Sequence, residues 1–239
     1  MAKKPTFIPP NGGVTVRMYR IGHGDCFLLA FPSETGERPV YVLIDCGYKR
    51  GSPGFIDPPT SPKAIAASII DATGGFIDVA VITHEHEDHV SAITQSNFKG
   101  LEIGQVWFAW TESPTDPVAI QLRKKYKDSL LRLLAVRNRL AAEDGDVKAF
   151  DRFLQYELGV EDTGDDSATW GAALAAAAKD PASSANKKSM KLFKDKAASV
   201  EFLTPHESVI PLPGAKDVKV FVLGPSRKRD ILDTDPEGE

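Results

Sequence analysis

The sequence predicts a mixed α/β (α+β) fold, and three observations carry that expectation. Between residues 14 and 44, three apolar segments of strand length follow one another across short, turn-rich breaks, as in an antiparallel meander. From 40 to 110 the order is strand, helix, strand, helix, strand, which is the order of a layered α/β domain. From 117 to 197 helical periodicity replaces the strand signal, which returns at Val200.

Each element has a local reason. Residues 1–13, with several prolines and glycines, read as an irregular lead-in. Val14 to Ile21 alternates apolar and polar residues as a half-buried strand does, and Gly22-His23-Gly24-Asp25 breaks it. Cys26 to Phe31 is continuously apolar, the pattern of a strand covered on both faces. Val40 to Ile44 is a third strand, ending at Asp45-Cys46-Gly47. After a Gly/Pro/Ser-rich loop over 48–62, Pro62 to Ala72 reads as a helix, with Ser61 as N-cap, Pro62 at N1 and Gly74-Gly75 past its end. The β-branched run Ile77 to Ile82 is a strand, Val90 to Ile93 opens a short helix, and Gln105 to Trp110 is a strand again.

Asp116-Pro117 starts a helix running to about Glu143, roughly 40 Å long at 1.5 Å per residue. Further helices are expected over Val147–Leu158, with Phe150, Phe153, Leu154 and Leu158 on one face, and over Ala168–Lys179. The polar, lysine-rich Ser183–Lys196 reads as a mobile helix. Together 117–197 form a helical insertion. Residues 14–116 are the first part of the domain, and 198–239 return to the sheet through Val200–Leu203 and Val218–Leu223 before a charged tail.

Composition narrows the function classes. A 239-residue chain with 42% hydrophobic and 26% charged residues can bury a sizeable core, which excludes disordered and collagen-like classes. A net charge of −4 gives no global attraction to nucleic acid or an anionic membrane, so a phosphate-bearing substrate would need local cations or metal. No apolar stretch approaches the ~20 residues of a membrane span, and Met1-Ala2-Lys3-Lys4-Pro5 has no apolar run behind it, so a cytoplasmic location is expected. Cys26 and Cys46 are expected as free buried thiols in a reducing compartment; without a Cys-x-x-Cys pair, metal ligation by them is disfavoured.

The chemistry gathers at Thr83-His84-Glu85-His86-Glu87-Asp88-His89. Three of the chain's five histidines fall within 84–89, interleaved with carboxylates. Imidazole nitrogens and carboxylate oxygens are the ligands that Zn²⁺ and related ions prefer. Alternation along an extended segment points His84, His86 and Asp88 to one side and Glu85 and Glu87 to the other, where the glutamates support the site from outside or are solvated. His84 and His86 suit one metal; Asp88 and His89, where the chain turns, reach a second. One or two zinc ions are expected, with manganese as the alternative, and Asp88 could also take or orient the proton of an attacking water. The spacing is not that of the helical His-Glu-x-x-His motif. If the first three strands are neighbours, Asp45 and Asp25 reach the same sheet edge and can accept the free ring N–H of a ligating histidine; the other reading of each is a turn or cap residue. His23 is a candidate substrate contact, or simply an exposed loop histidine.

Thr-His-x-His-x-Asp-His after an apolar strand, preceded by Leu43-Ile44-Asp45-x-Gly47, resembles the metallo-β-lactamase-fold hydrolases. The turn Ile21-Gly22-His23-Gly24-Asp25-Cys26-Phe27 is similar to that of the subgroup related to the hydrolase domain of DNA-uptake (competence) channel proteins. The resemblance covers 14–110 and, more weakly, 200–225. It implies an αββα sandwich, a one- or two-zinc site and hydrolysis by a metal-bound hydroxide. His84 and His86 would bind the first metal, Asp88 and His89 the second.

The chain also departs from that pattern. The family's further histidine should follow a downstream strand, but Val218–Leu223 runs into Gly224-Pro225-Ser226, leaving His206 as the remaining candidate. The bridging aspartate, the last histidine and most of a second sheet have no counterpart before Glu239. The expected chain is therefore the N-terminal part of a longer protein, or half a site that a partner completes. The favoured function is metal-dependent hydrolysis of a phosphodiester or nucleic acid, with Arg123, Lys124, Lys125, Lys127, Arg132, Arg137 and Arg139 as a candidate polyanion path. Thioester and lactone substrates stay open, while β-lactams are disfavoured because no export signal is visible. The alternative is a non-catalytic module whose long helix is the interaction surface, with Trp107, Trp110 and Trp170 as candidate anchors.

Overall fold

Six strands form one mixed sheet, and its parallel half carries the histidine motif. β1 (Thr15–Met18), β2 (Phe27–Phe31) and β3 (Val40–Ile44) pair antiparallel in sequence order. β4 (Phe76–Ile82), β5 (Glu102–Ala109) and β6 (Ala197–Leu203) are then added parallel, giving the spatial order β1-β2-β3-β4-β5-β6. The computed structural model describes residues 7–55, 59–160, 167–180, 184–205 and 209–228.

Parallel neighbours need crossover connections, and helices supply them. α1 (Pro62–Thr73) joins β3 to β4: the Ser61 side chain accepts the Ala64 N–H, Pro62 opens the first turn, and Gly74 closes the helix at φ 72°. α2 (Glu87–Val90) is a single turn between β4 and β5. The crossover from β5 to β6 is the long one, through α3 (Pro117–Ala142), α4 (Lys148–Leu158), α5 (Ser167–Lys179) and α6 (Ala185–Lys196). Asp116 caps α3 by accepting from Val118 and Ala119, as its place before Pro117 predicts.

The central strands of the sheet are covered on both faces. On one, Ile65 and Ile69 of α1 and Met190 and Phe193 of α6 pack with Leu28, Leu43, Ile77, Ile82, Val106 and Phe108. On the other, Val40, Val42, Val79 and Trp107 meet Leu212 and Ala215, which lie in the loop of a small hairpin of β7 (Ile210–Pro211) and β8 (Lys219–Val220). The insertion has its own small core of Leu130, Leu134, Leu154, Leu158, Trp170 and Leu174. Among the described residues no helix is long and apolar enough to cross a membrane.

Several expectations are corrected. The lysine-rich segment before β6 is not loose: Met190 and Phe193 are buried, and Lys194 lies its ammonium 4.4 Å from the Phe108 ring centroid, so the lysines border a core helix. The strand expected over Val218–Leu223 shrinks to Lys219–Val220 and pairs with β7, not the main sheet; Phe221 and Leu223 are exposed. β2 is fully covered on one face only, at Leu28 and Ala30. β1 is a strand, but its apolar Val16 and Met18 point outward, because Arg17 takes the covered side, 4.5 Å over the Phe7 ring. The helix expected from Val90 begins three residues earlier, inside the motif. The three tryptophans proposed as anchors are all buried.

Candidate metal centre

Three chain segments meet at the end of β4, and two glycines let them. A Cβ on Gly24 would lie 2.3 Å from the Gly47 carbonyl oxygen and 2.6 Å from that of Asp88; a Cβ on Gly47 would lie 2.3 Å from the His89 carbonyl carbon. Only glycine fits at such distances. Backbone bonds stitch the junction: Asp25 N–H donates to Asp88 (3.0 Å), Cys46 N–H to His89 (2.8 Å), and Gly47 N–H to Asp25 (3.1 Å). Cys26 and Cys46 beneath it are free and buried, and the hydrogen bond to Cys46, with burial, pushes the Cys26 thiol well above its ordinary range.

Asp45 organises the site. Its φ of 52° turns the chain sharply at the end of β3, and its carboxylate is buried. Oδ1 accepts the Thr83 N–H at 2.9 Å, and Oδ2 accepts the Thr83 hydroxyl at 2.6 Å and the His89 ring at 2.9 Å through Nδ1. Asp45 thus reaches the ring of a motif histidine from the end of β3. Asp25 stands farther off, Oδ2 3.6 Å from His89 Nδ1, and half-exposed.

The imidazoles bunch together. Ring centroids of His84 and His89 are 3.8 Å apart, those of His84 and His86 4.7 Å. One ligand atom each from His84, Asp88 and His89 lies within 4.8 Å of the others, a spacing that can hold a metal ion. His86 is not in that trio. It turns toward the insertion, where its Nε2 is 3.4 Å from Glu157 Oε2. The strict alternation fails because α2 starts at Glu87, so Asp88 and His89 sit on a helical turn and only His84 and His86 on extended chain. The glutamates do point elsewhere, but neither is solvated: Glu85 pairs with Lys187, and buried Glu87 accepts the Arg50 N–H at 3.0 Å and pairs with its guanidinium at 3.2 Å. Burial pushes the Glu87 carboxyl up.

Sequence reasoning missed the contribution of α4. Tyr156 donates its hydroxyl to Asp88 Oδ1 at 2.6 Å, and Glu157 faces His86 while accepting the Tyr126 hydroxyl from α3. The one signal available was a glutamate in the last turn of a helix, where it opposes the dipole. His23 lies at the mouth, its exposed Nε2 4.0 Å from Asp88 Oδ2. His206 lies outside the described residues.

The charges are tuned by these contacts. Burial, with His89 and His86 alongside, holds the His84 imidazole below its ordinary range, so it keeps a lone pair available. The Glu157 carboxylate raises His86. Burial lowers His89, but Asp45 and Asp88 outweigh it and raise the ring. Burial would raise Glu157, yet His86 and Tyr126 hold it below the usual carboxylate range.

Two clefts flank the motif. One, of about 540 Å³, is lined by Glu85, Tyr126, Lys124, Lys127, Lys191 and Lys194 among others. The other, of about 500 Å³, opens by Tyr48, Ser91 and α6, and its lining includes no motif histidine. Of the basic residues expected along a polyanion path, Arg123 and Arg137 are committed internally, to Ser113 O (2.8 Å) and Asp151 (2.8 Å).

The chain matches no family model, no curated protein and no solved structure.

Proposed function

We propose that this chain is a metal-dependent hydrolase of metallo-β-lactamase-like half-sandwich design, acting on a phosphodiester or nucleic acid. The observation that carries this reading is the convergence of His84, Asp88 and His89 donor atoms within 4.8 Å at the end of a parallel strand, with Asp45 hydrogen-bonded behind His89. Two imidazoles and a carboxylate are a donor set that zinc or manganese accepts. His84, Asp88 and His89 would hold one ion, and His86 would serve a second.

A bound divalent ion supplies Lewis acidity, lowering the pKa of water and offsetting charge that develops on the phosphate. The chain's own groups do the rest. Asp45 fixes the His89 ring, since a carboxylate only accepts and so places the proton on Nδ1, leaving Nε2 to face Asp88 Oδ2 at 3.6 Å. Tyr156 anchors Asp88 Oδ1, which leaves Oδ2 as the oxygen that would ligate the ion beside His89 Nε2, with His23 at the entrance to meet substrate. The lysine-lined cleft beside Tyr126 supports an anionic substrate in a chain whose net charge is negative.

The test is a metal-loaded preparation assayed on bis(p-nitrophenyl) phosphate. Hydrolysis should require added zinc or manganese and disappear when His84 and His86 are both changed to Ala. Full activity in that double variant would overturn the proposal.

A further inference from the structure

The end of α4 is held against the motif from several directions. Arg50 donates to the Gly159 carbonyl at 3.1 Å, and the Asn186 amide to the Tyr156 and Glu157 carbonyls at 3.3 and 3.4 Å. Gly159, at φ 61°, allows that approach, because a Cβ there would sit 2.3 Å from Asn186 Oδ1. The Glu157 side chain is only 8% exposed. A buried carboxylate is costly unless a charge or donors meet it. Those the structure gives Glu157 are the Tyr126 hydroxyl and His86.

Histidine–carboxylate contacts here differ in length, and besides the 3.6 Å between His89 Nδ1 and Asp25 Oδ2 three bear on the site. His89 Nδ1 to Asp45 Oδ2, at 2.9 Å, has hydrogen-bond length. His86 Nε2 to Glu157 Oε2, at 3.4 Å, and His89 Nε2 to Asp88 Oδ2, at 3.6 Å, exceed the ~2.7–3.2 Å of an N–H···O bond. Two ligand atoms at ~2.0–2.1 Å from one tetrahedral ion stand roughly 3.3 Å apart, which is close to the spacing of these two longer contacts. A carboxylate has about four acceptor positions, so the Tyr126 hydroxyl leaves capacity for a cation.

We infer that Glu157 is a metal ligand delivered by the helical insertion, paired with His86. The centre then draws on five side chains (His84, His86, Asp88, His89 and Glu157), which relieves the shortage of donors for two ions within the motif. The inference rests on the metal-centre reading above. It also gives the insertion a role, which is to complete the site from outside the sheet.

The experiment uses the full chain, stripped by chelator and titrated with Zn²⁺ alone by calorimetry, with metal content read by mass spectrometry. Glu157→Gln should lower the affinity of one zinc by at least about 100-fold, or abolish that equivalent. Its metal-free melting curve reports whether it is folded; if it is not, Glu157→Asp, which keeps the charge, takes its place with a smaller expected loss. Cobalt(II) loaded instead of zinc should show visible bands that shift in the variant. Wild-type affinity, or lower affinity with unshifted cobalt bands, makes Glu157 a group that merely positions His86 and overturns the inference. Absence of zinc binding by the wild-type chain overturns the metal-centre reading itself.

Discussion

His89 Nδ1 lies 2.9 Å from Asp45 Oδ2, and that one bond ties the end of β3 to the helical turn after β4. Because the same carboxylate also takes both the N–H and the hydroxyl of Thr83, it fixes the chain on either side of His84 and His86. Asp45→Asn keeps the backbone, since Asn tolerates the left-handed φ of 52°. It cannot accept with both heads, so His89 loses its anchor. Zinc affinity should fall about 10–100-fold in a competition titration. Unchanged affinity would place His89 outside the centre.

Gly47 is where the junction has least room. Gly47→Ala drives a methyl group into the His89 and Val90 backbone, 2.3 Å away. No rotamer relieves a backbone clash, so the variant should lose about 3 kcal/mol in urea unfolding, and metal binding with it. Gly54→Ala, with open space around it and φ < 0, is the control and should change stability by less than about 0.5 kcal/mol. Equal behaviour of the two variants would refute the close-approach account.

Local signals carried far along the chain. Ser61-Pro62 and Gly74 marked α1, Asp116-Pro117 marked α3, and the apolar run into Thr83 placed the motif at a strand end. Asp45 was legible for the same reason: it ends a neighbouring strand. What stayed hidden depends on contacts between distant segments. Val16 and Arg17 alternate as a strand should, but the Phe7 ring decides which side is covered. Tyr156 and Glu157 are ordinary residues of an amphipathic helix until the packing of α4 brings them to Asp88 and His86. Nothing at spacings of 68 or more residues announces that.

Phe193 tests whether α6 belongs with the sheet. It is fully buried and meets Phe98 edge-on, ring centroids 5.3 Å apart. Phe193→Ala should cost about 3–5 kcal/mol in equilibrium unfolding. Lys191→Ala, two residues away, removes an exposed pair with Asp195 and should cost no more than about 0.5 kcal/mol. Similar small losses for both would mean α6 is peripheral to the core.

Tyr41 offers a test that depends on pH. Its side chain is fully buried in β3, and its hydroxyl donates to the Phe7 carbonyl at 2.8 Å, tying the lead-in to the sheet. Tyr41→Phe should therefore cost about 1 kcal/mol near neutrality. Burial pushes the Tyr41 hydroxyl up to about 12, whereas an unfolded tyrosine ionises near 10. Between those values the unfolded chain holds fewer protons than the folded one, so the stability due to the neutral hydroxyl is complete below pH ~10 and falls as pH rises toward ~12. The phenylalanine variant has no such dependence at this position. Groups common to both proteins cancel in the difference between their unfolding curves. That difference should thus shrink as pH rises through the window; a constant gap would mean that Tyr41 is not held neutral by the fold.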